Sequence, residues 1–233
     1  MNRTAIEWTD LTWNPITGCE HGCPYCYARR MAYRLRGRFG YPEDEPFRPT
    51  LHEDRLTEPL ELKKPSKIFT CSMGEMFGAW IPYVWVNRIM LTIWTCHRWK
   101  YGHTFQVLTK APQNISAFIT RFPPNLWIGT SVESPRAEWR IKFITDKTLR
   151  KDGLEIAFAS FEPLHGPVNV DENLDWVIVG AETGNRADRI EPKPEWISKV
   201  LKDAEKFGIP VFMKDNIKPY WDGEIIREFP QRR

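Results

Sequence analysis

Short apolar runs alternate with stretches of helical pattern along most of the chain. The runs that predict strands lie at 5–13, 67–73, 104–109, 126–132, 154–161, 174–180 and 209–213. The stretches that predict helices lie at 27–38, 82–99, 112–120, 135–147 and 194–207. Strands separated by helices favour right-handed crossovers and a parallel sheet covered on both faces. The pattern therefore predicts an α/β fold with a parallel sheet of six strands and a seventh at 209–213.

Size and composition predict a single domain spanning 1–233. A chain of 233 residues can bury a large core, and its 42% apolar and 27% charged content is ordinary for a globular protein. Two segments stand apart from the strand–helix pattern. We expect the stretch at 40–64, rich in Pro and charge, to be an irregular excursion after the first helix, and 216–233 to be a C-terminal tail.

The sequence predicts a cytoplasmic location with no membrane partner. The first residues carry no apolar signal core, and the most apolar long stretch, 81–96, is interrupted by Asn87 and Arg88. In that location thiols stay reduced and available for metal. The formal net charge of +3 is nearly neutral for this length and does not by itself indicate a nucleic-acid partner.

Three of the five cysteines lie within eight residues, with the spacing C-x3-C-x2-C. They are Cys19, Cys23 and Cys26. Gly18, Gly22 and Pro24 allow the tight backbone that a loop needs in order to wrap a small inorganic centre. Three thiolates leave a fourth coordination position open, whereas a structural zinc is normally closed by four protein ligands. An iron–sulfur cluster with one iron free for an exogenous ligand fits this count.

Two other uses of these cysteines stay open. A Cys3His zinc site would take its fourth ligand from His21, His97 or His103, although zinc loops usually pair their ligands across a longer stretch. A disulfide is the weaker alternative, since the cysteine count is odd and the chain is not a small, cysteine-dense domain.

The cysteine loop and its flanks resemble a known enzyme superfamily. The motif C-x3-C-x2-C, with the aromatic Tyr25 just before its last cysteine, is similar to the signature of the radical S-adenosylmethionine (SAM) superfamily. In that superfamily three cysteines hold a [4Fe-4S] cluster, and SAM chelates the fourth iron. The wider stretch resembles one phage-associated branch whose substrate is unassigned; it reads WNPITGC before the loop and CYA after it.

The resemblance implies a fold, two cofactors and a reaction. The fold is a partial parallel (β/α) barrel over roughly 13–214, with the cluster loop after its first strand. An electron, supplied by a flavodoxin- or ferredoxin-like donor, would pass through the cluster to the sulfonium of SAM. Methionine would leave, and the 5′-deoxyadenosyl radical would abstract hydrogen from a substrate. The cofactor carries the hard chemistry, while the protein binds, orients and excludes water.

The resemblance also implies cofactor-binding residues. Tyr25 would pack near the adenine of SAM, and Gly74 and Glu75, after the second strand, would form the edge that binds the SAM amino group. The superfamily usually has Gly-Gly-Glu at that edge, whereas this chain reads Ser-Met-Gly-Glu.

Charged residues also follow six of the predicted strands, at the carboxyl ends where active sites of β/α barrels lie. We expect them to surround one mouth, with rim ion pairs and helix caps as the alternative for each: Glu75, Lys110, Glu133, Glu162, Glu182 and Lys214. Lys110, Glu162 and Lys214, with the adjacent Asp215, are the candidate substrate contacts.

Four positions are candidates for the adenosine side of SAM. Ser131 and Glu133 could accept hydrogen bonds from the ribose hydroxyls. Gly180, followed closely by Glu182, would let the backbone approach the adenosine. Cys71, near the second strand end, is a candidate hydrogen donor and Cys96 a weaker one, with a small core residue as the alternative.

The predicted helix at 27–38 carries five arginines and no acidic residue. Arginine pairs with phosphate in bidentate geometry, so a nucleic acid or a nucleotide is a candidate substrate beside a peptide and a small metabolite. The alternative is a solvated helix face. The competing functions are therefore a radical SAM enzyme, a zinc-stabilised nucleic-acid-binding protein, and a non-catalytic cluster-bearing partner subunit.

Overall fold

The computed structural model describes residues 1–184, 186 and 188–231. The chain divides into two compact units, 1–127 and 128–233. The strands are β1 Asn2–Arg3, β2 Leu11–Trp13, β3 Ile16–Thr17, β4 Thr50–Leu51, β5 Lys67–Thr70, β6 Thr104–Thr109, β7 Leu126–Ser131, β8 Ile156–Phe161, β9 Trp176–Val179 and β10 Val211–Met213. The α-helices are α1 Tyr27–Arg34, α2 Tyr83–Arg98, α3 Ile115–Phe118, α4 Ile141–Ile144, α5 Lys147–Lys151 and α6 Pro194–Phe207.

Both units combine helices with parallel strands, and the first unit adds two short antiparallel pairs, so the predicted α/β class is confirmed. The described strands do not close into a barrel. Two of the expected helices are broken: 112–120 and 135–147 each begin with a 3-10 turn, at Pro112–Asn114 and Pro135–Arg140. No helix in the described part of the chain is long and apolar enough to cross a bilayer.

In the first unit, β2 pairs in parallel with β5, and β5 pairs in parallel with β6. The register places Ile68 opposite both Leu11 and Phe105, and Ile68 and Phe105 are fully buried. Strands buried on two faces are expected to be apolar runs, as these are. The two-residue β1 pairs antiparallel with β2 and was not predicted, because so short a strand carries no periodicity.

Residues 40–64 contain more regular structure than the irregular excursion that the sequence predicts. They supply β4, which pairs antiparallel with β3 and places Thr50 opposite Thr17, and 3-10 turns at Glu53–Arg55 and Glu58–Glu61. The segment also contributes buried apolar side chains, among them Tyr41, Phe47 and Leu56. This segment therefore braces the backbone that leads into the cysteines.

In the second unit, β8, β9 and β10 pair in parallel, so the seventh predicted strand is confirmed. The C-terminal tail packs along β10: Glu228 N donates to Val211 O at 2.9 Å, and Met213 N donates to Ile226 O at 2.9 Å. The tail thus takes backbone groups that an edge strand would leave unpaired.

Burial makes one histidine of the first unit sensitive to acid. His52 is 4% exposed, and its Nε2 lies 2.8 Å from Oγ1 of Thr17. Burial, reinforced by the charge of Arg55, lowers the pKa of His52 from 6.5 to about 4. The unfolded chain therefore binds a proton at His52 at a higher pH than the folded chain. The contribution to stability is complete above pH 6.5 and is lost as the pH falls toward 4.

We expect the free energy of unfolding, measured by urea denaturation, to fall by about 2 kcal/mol between about pH 7.5 and about pH 5 because of His52. The His52→Gln variant should remove this part of the pH dependence. His97→Gln changes an exposed histidine of α2 and should leave it intact. An acid dependence of the same size in H52Q would assign the effect to other groups.

Candidate functional site

The cysteine loop, residues 18–26, begins where two segments of the first unit are tied together. Gly18 N donates to Met73 O at 3.0 Å, and Glu75 N donates to Gly18 O at 3.2 Å, so Gly18 and Gly74 form a parallel bridge. Asn14 adds a side-chain tie, because its Oδ1 accepts from Met73 N at 2.9 Å. The segment that follows β5 therefore fixes the start of the loop.

Close backbone packing requires both glycines of this bridge. Gly18 has a φ of +90°, and a Cβ there would lie 2.3 Å from the carbonyl oxygen of Arg48. A Cβ at Gly74 would lie 3.0 Å from the carbonyl oxygen of Ile16. Because Gly74 has no side chain, its backbone can pack against residues 16–18, which lead into the cysteine loop.

Two of the three sulfurs accept backbone hydrogen bonds. Cys19 Sγ accepts from His21 N at 3.4 Å. Cys26 is the N-cap of α1, and its Sγ accepts from Arg29 N at 3.4 Å. Cys23 is tied to the loop through its carbonyl, which accepts from Cys26 N at 3.2 Å. All three cysteines are half-buried and none forms a disulfide.

The chemistry of this loop suits a cationic centre. Burial raises the pKa of Cys19 from 9.0 to about 12; the amide of His21 opposes the rise and the Glu75 carboxylate adds to it. A thiolate at Cys19 therefore needs a positive partner, which a metal ion or an iron–sulfur cluster supplies. Among the residues that the structure describes, no three His, Cys, Asp or Glu side chains stand ready to hold a metal ion. The sulfurs of the loop would have to draw together to bind one.

A buried carboxylate beside the loop accepts four hydrogen bonds. The residue Glu75 is 3% exposed. Its Oε1 accepts hydrogen bonds from Thr109 Oγ1 at 2.6 Å and from Phe77 N at 3.0 Å. Oε2 accepts from Lys110 N at 3.0 Å and His21 Nε2 at 3.1 Å. Because a carboxylate only accepts, Nε2 of His21 carries the proton. Burial raises the pKa of Glu75, but the four hydrogen bonds outweigh it and hold the pKa below its ordinary value.

Glu75 therefore joins the end of β6 to the cysteine loop through His21. The resemblance implies that Gly74 and Glu75 form an edge for the SAM amino group through their backbone. The Glu75 side chain is used differently, because its carboxylate accepts a hydrogen bond from His21, which lies between Cys19 and Cys23. Lys110 lies close by, with its Nζ 5.3 Å from the centroid of the Tyr25 ring. Three predicted site residues, Tyr25, Glu75 and Lys110, are thus brought together with the cysteine loop.

The two remaining cysteines are core residues. Burial raises the pKa of the Cys71 thiol and of the Cys96 thiol, to about 12 and about 11. Cys71 follows β5 with a φ of +58°, and its amide donates to Trp13 O at 2.7 Å. Their burial favours the small core residue over the hydrogen donor.

In the second unit, Lys214 and Glu162 form an ion pair at the ends of β10 and β8. Gly180, after β9, makes room for this pair. A Cβ at Gly180 would lie 2.9 Å from Cδ of Glu162 and 3.1 Å from Cδ of Lys214. Three strand ends that the sequence singled out therefore meet in this unit. Asp215 instead pairs with Lys218 and Arg227, at 2.7 and 2.6 Å.

Glu182 is buried in an ion network. It accepts from Nε and Nη2 of Arg186 at 2.8 and 3.0 Å and lies 2.9 Å from Nε2 of His165. The hydrogen bond from Arg186 outweighs burial and, with His165, holds the pKa of Glu182 below its ordinary value. His165 also connects this network to Glu133, because His165 N donates to the carbonyl oxygen of Glu133 at 2.7 Å.

Arg140 completes the arrangement around Glu133. Its Nη1 donates to Oε2 of Glu133 and to the carbonyl oxygen of Ser131, both at 2.8 Å. The charged strand ends of the second unit therefore all take part in ion pairs. Their partners were not predicted, since a polar residue near a strand end carries no pattern of its own; these partners, with that of Glu75, are Thr109, Arg140, His165 and Arg186.

A family model described as "Protein of unknown function (DUF5131)" matches residues 3–222. The chain belongs to this family. No curated protein matches the chain, and no solved structure matches it. That description assigns no activity to the family.

Alanine at the two glycines of the loop should have different effects on stability. Gly22 has a φ of +68° with open space around its Cβ position, so Gly22→Ala should cost only the left-handed backbone, about 1 kcal/mol. Gly18→Ala adds the overlap with the Arg48 carbonyl and should cost about 3 kcal/mol or more. Urea denaturation measures both; equal losses would show that the Gly18 site can relax.

The Glu75→Gln variant should lose about 2–4 kcal/mol of unfolding free energy. Each oxygen of Glu75 accepts from a backbone N–H as well as a side chain, so either orientation of the amide sets an NH2 group against a fixed donor. Glu53→Gln makes the same change at an exposed ion pair with Arg88, where solvent screens the charges, and should leave the free energy of unfolding nearly unchanged. Urea denaturation compares the two; similar small losses would contradict the role assigned to Glu75.

Proposed function

We propose that this DUF5131 protein is a radical SAM enzyme. Cys19, Cys23 and Cys26 would hold a [4Fe-4S] cluster, and SAM would occupy its fourth iron. The observation that carries the proposal is a loop of three reduced, half-buried cysteines that is anchored at both ends. Its start is bridged to Gly74, and its last cysteine caps α1. The partial barrel that the resemblance implies belongs to the same proposal.

When bound, the cluster and SAM supply one-electron cleavage of the sulfonium and a 5′-deoxyadenosyl radical that abstracts hydrogen. The chain's own residues have supporting roles. Glu75 holds His21, and with it the turn between Cys19 and Cys23, by a hydrogen bond whose acceptor is fixed by three other donors. Tyr25 would cover the adenine, in the same neighbourhood as Lys110.

Residues of the second unit would serve SAM and the substrate. Ser131, Glu133, Gly180 and Glu182 are the proposed contacts to adenosine, and Glu162 and Lys214, with Lys110, the proposed contacts to substrate. Because Glu162 and Lys214 already neutralise each other, a substrate would bind them by exchanging one charged partner for another. The electron would come from a flavodoxin- or ferredoxin-like donor.

A specific observation favours a second candidate, a zinc-stabilised nucleic-acid-binding protein. His21 Nε2 donates to Glu75, which leaves Nδ1 as the acceptor nitrogen. Carboxylate–histidine pairs of this kind orient zinc ligands, so His21 is the best fourth ligand for a Cys3His site. A cluster-bearing partner subunit without catalysis is the third candidate.

The test is anaerobic reconstitution of the full chain with iron and sulfide, followed by SAM and a strong reductant. We expect about four iron and four sulfide per chain, and 5′-deoxyadenosine as product. Cys19→Ala, Cys23→Ala and Cys26→Ala should each abolish both, whereas Cys96→Ala, which removes a buried thiol of α2, should retain both.

Other outcomes separate the candidates. One tightly held zinc with neither iron nor sulfide would replace the enzyme by the zinc protein. A stable cluster that cleaves no SAM, with or without added oligonucleotide, would favour the partner subunit. Unchanged SAM turnover in the Cys23→Ala variant would show that Cys19, Cys23 and Cys26 are not the cluster ligands proposed above.

A further inference from the structure

The segment directly after the cysteine loop is the most basic part of the chain. Residues 27–40 contain five arginines and no acidic residue, so the remaining 28 basic and 30 acidic residues give the rest of the chain a formal charge of −2. Repulsion among these arginines opposes folding. A cluster of like charges is therefore a candidate binding surface.

The structure exposes all five arginines, Arg29, Arg30, Arg34, Arg36 and Arg38. Helix α1 buries only Ala28 and Ala32, which lie on one face, so the opposite face presents its arginines to solvent. In the described part of the chain none of the five pairs with a carboxylate. Arg38 also donates to the carbonyl of Arg34, and the Arg29 guanidinium lies 5.4 Å from the centroid of the Phe47 ring. Neither contact neutralises the positive charge, so the guanidinium groups can still bind an anionic ligand.

Aromatic rings are exposed among these arginines. Tyr27 is 43% exposed, Tyr33 50% and Phe39 72%. The guanidinium of Arg36 lies 5.6 Å from the centroid of the Tyr33 ring, an arrangement that keeps cation and ring side by side. The Tyr27 hydroxyl donates to the carbonyl of Ser72 at 2.6 Å and ties α1 to the segment after β5, whereas the rings of Tyr33 and Phe39 lie exposed beside the arginines.

Phe39 supplies a second, independent observation. Its φ is +53°, a left-handed conformation that costs a residue with a Cβ roughly 1–2 kcal/mol. Arg55 Nη2 donates to the carbonyl of Phe39 and helps to hold this conformation. The backbone is thus strained at the residue whose ring is the most exposed in the segment, and such strain clusters at binding sites.

Arginine–phosphate pairs and base–ring stacking together identify the ligand. Guanidinium groups bind phosphates, and exposed rings stack on bases that are not paired in a duplex. An acidic protein would use the arginines but not the rings. A membrane surface would favour a continuous apolar face, whereas the exposed face of α1 interrupts Tyr27, Met31 and Tyr33 with arginines.

We propose that residues 27–40, the arginine–aromatic surface, bind a single-stranded polynucleotide. Its role as substrate class rests on the proposed function, because Cys26 is both the last cluster ligand and the N-cap of the helix that carries the surface. The ligand would therefore lie beside the cysteine loop.

The experiment is fluorescence anisotropy of the full, cluster-reconstituted chain with labelled oligo(dT) and oligo(U) of about 12 nucleotides, repeated at several salt concentrations. Tyr33→Ala should weaken binding about tenfold, and Tyr33→Phe, which keeps the ring, should not. Arg30→Ala/Arg34→Ala should lower the slope of log affinity against log salt by roughly 1.4. Arg98→Ala/Arg121→Ala removes two exposed arginines elsewhere in the first unit and should leave the slope unchanged.

A charge change of the opposite sign gives a further check. The side chain of Glu43 lies near Gly37, within the surface, and Glu43→Gln should therefore tighten binding. Failure of the wild-type chain to bind either oligonucleotide would overturn the proposal, as would binding that R30A/R34A and Y33A leave unchanged. Capture of anionic vesicles or of an acidic flavodoxin in place of oligonucleotides would also overturn it.

Binding and SAM cleavage are measured separately. Oligonucleotide binding by a chain that cleaves no SAM would remove the proposed enzyme function and retain the surface. SAM cleavage without oligonucleotide binding would retain the enzyme and remove this substrate class. Faster formation of 5′-deoxyadenosine on addition of the oligonucleotide would support both.

Discussion

A buried carboxylate has no water to solvate it, so all its hydrogen-bond partners must come from the protein. Glu75 finds four, two of them backbone amides whose positions are set by the chain after β5 and β6. The hydroxyl of Thr109 and the imidazole of His21 complete the set. The negative charge thus determines where the histidine of the cysteine loop stands, and the geometry of the loop depends on it.

The charged residues at the strand ends are arranged as pairs and networks. Glu162 faces Lys214, Glu133 faces Arg140, and Glu182 is shared by a histidine and an arginine. Each pair is at least half-buried, where one unpartnered charge would be costly. Ligands with charged groups could displace a partner at these positions, while neutral ligands would find the charges already satisfied.

The sequence was informative where a physical rule acts over several residues. The apolar runs that became β6 and β8 are buried on both faces, and α6 has both its starting proline and its terminal Gly208, so their bounds could be predicted closely. Strands of two residues, such as β1 and β4, have no periodicity and were missed. The spacing of the cysteines predicted one loop, and all three lie in it.

Tertiary partners could not be predicted in the same way. Nothing in the sequence around Glu75 shows which groups donate hydrogen bonds to its carboxylate oxygens. The donors come together only after three segments of the chain pack, and they belong to Phe77, Thr109, Lys110 and His21. The excursion at 40–64 illustrates the same limit, since its regularity comes from pairing with β3. Gly18, by contrast, was singled out as a loop glycine, and the structure adds the close approach of Arg48 as the reason.

The sulfur of Cys26 is a proposed cluster ligand and also the cap of helix α1. Cys26 Sγ accepts the amide hydrogen of Arg29 and so holds the first turn of α1. A bulky alkyl group on that sulfur would displace it from the Arg29 amide, and the first turn would fray. The position of a single atom is in this way coupled to the orientation of the arginines that follow it.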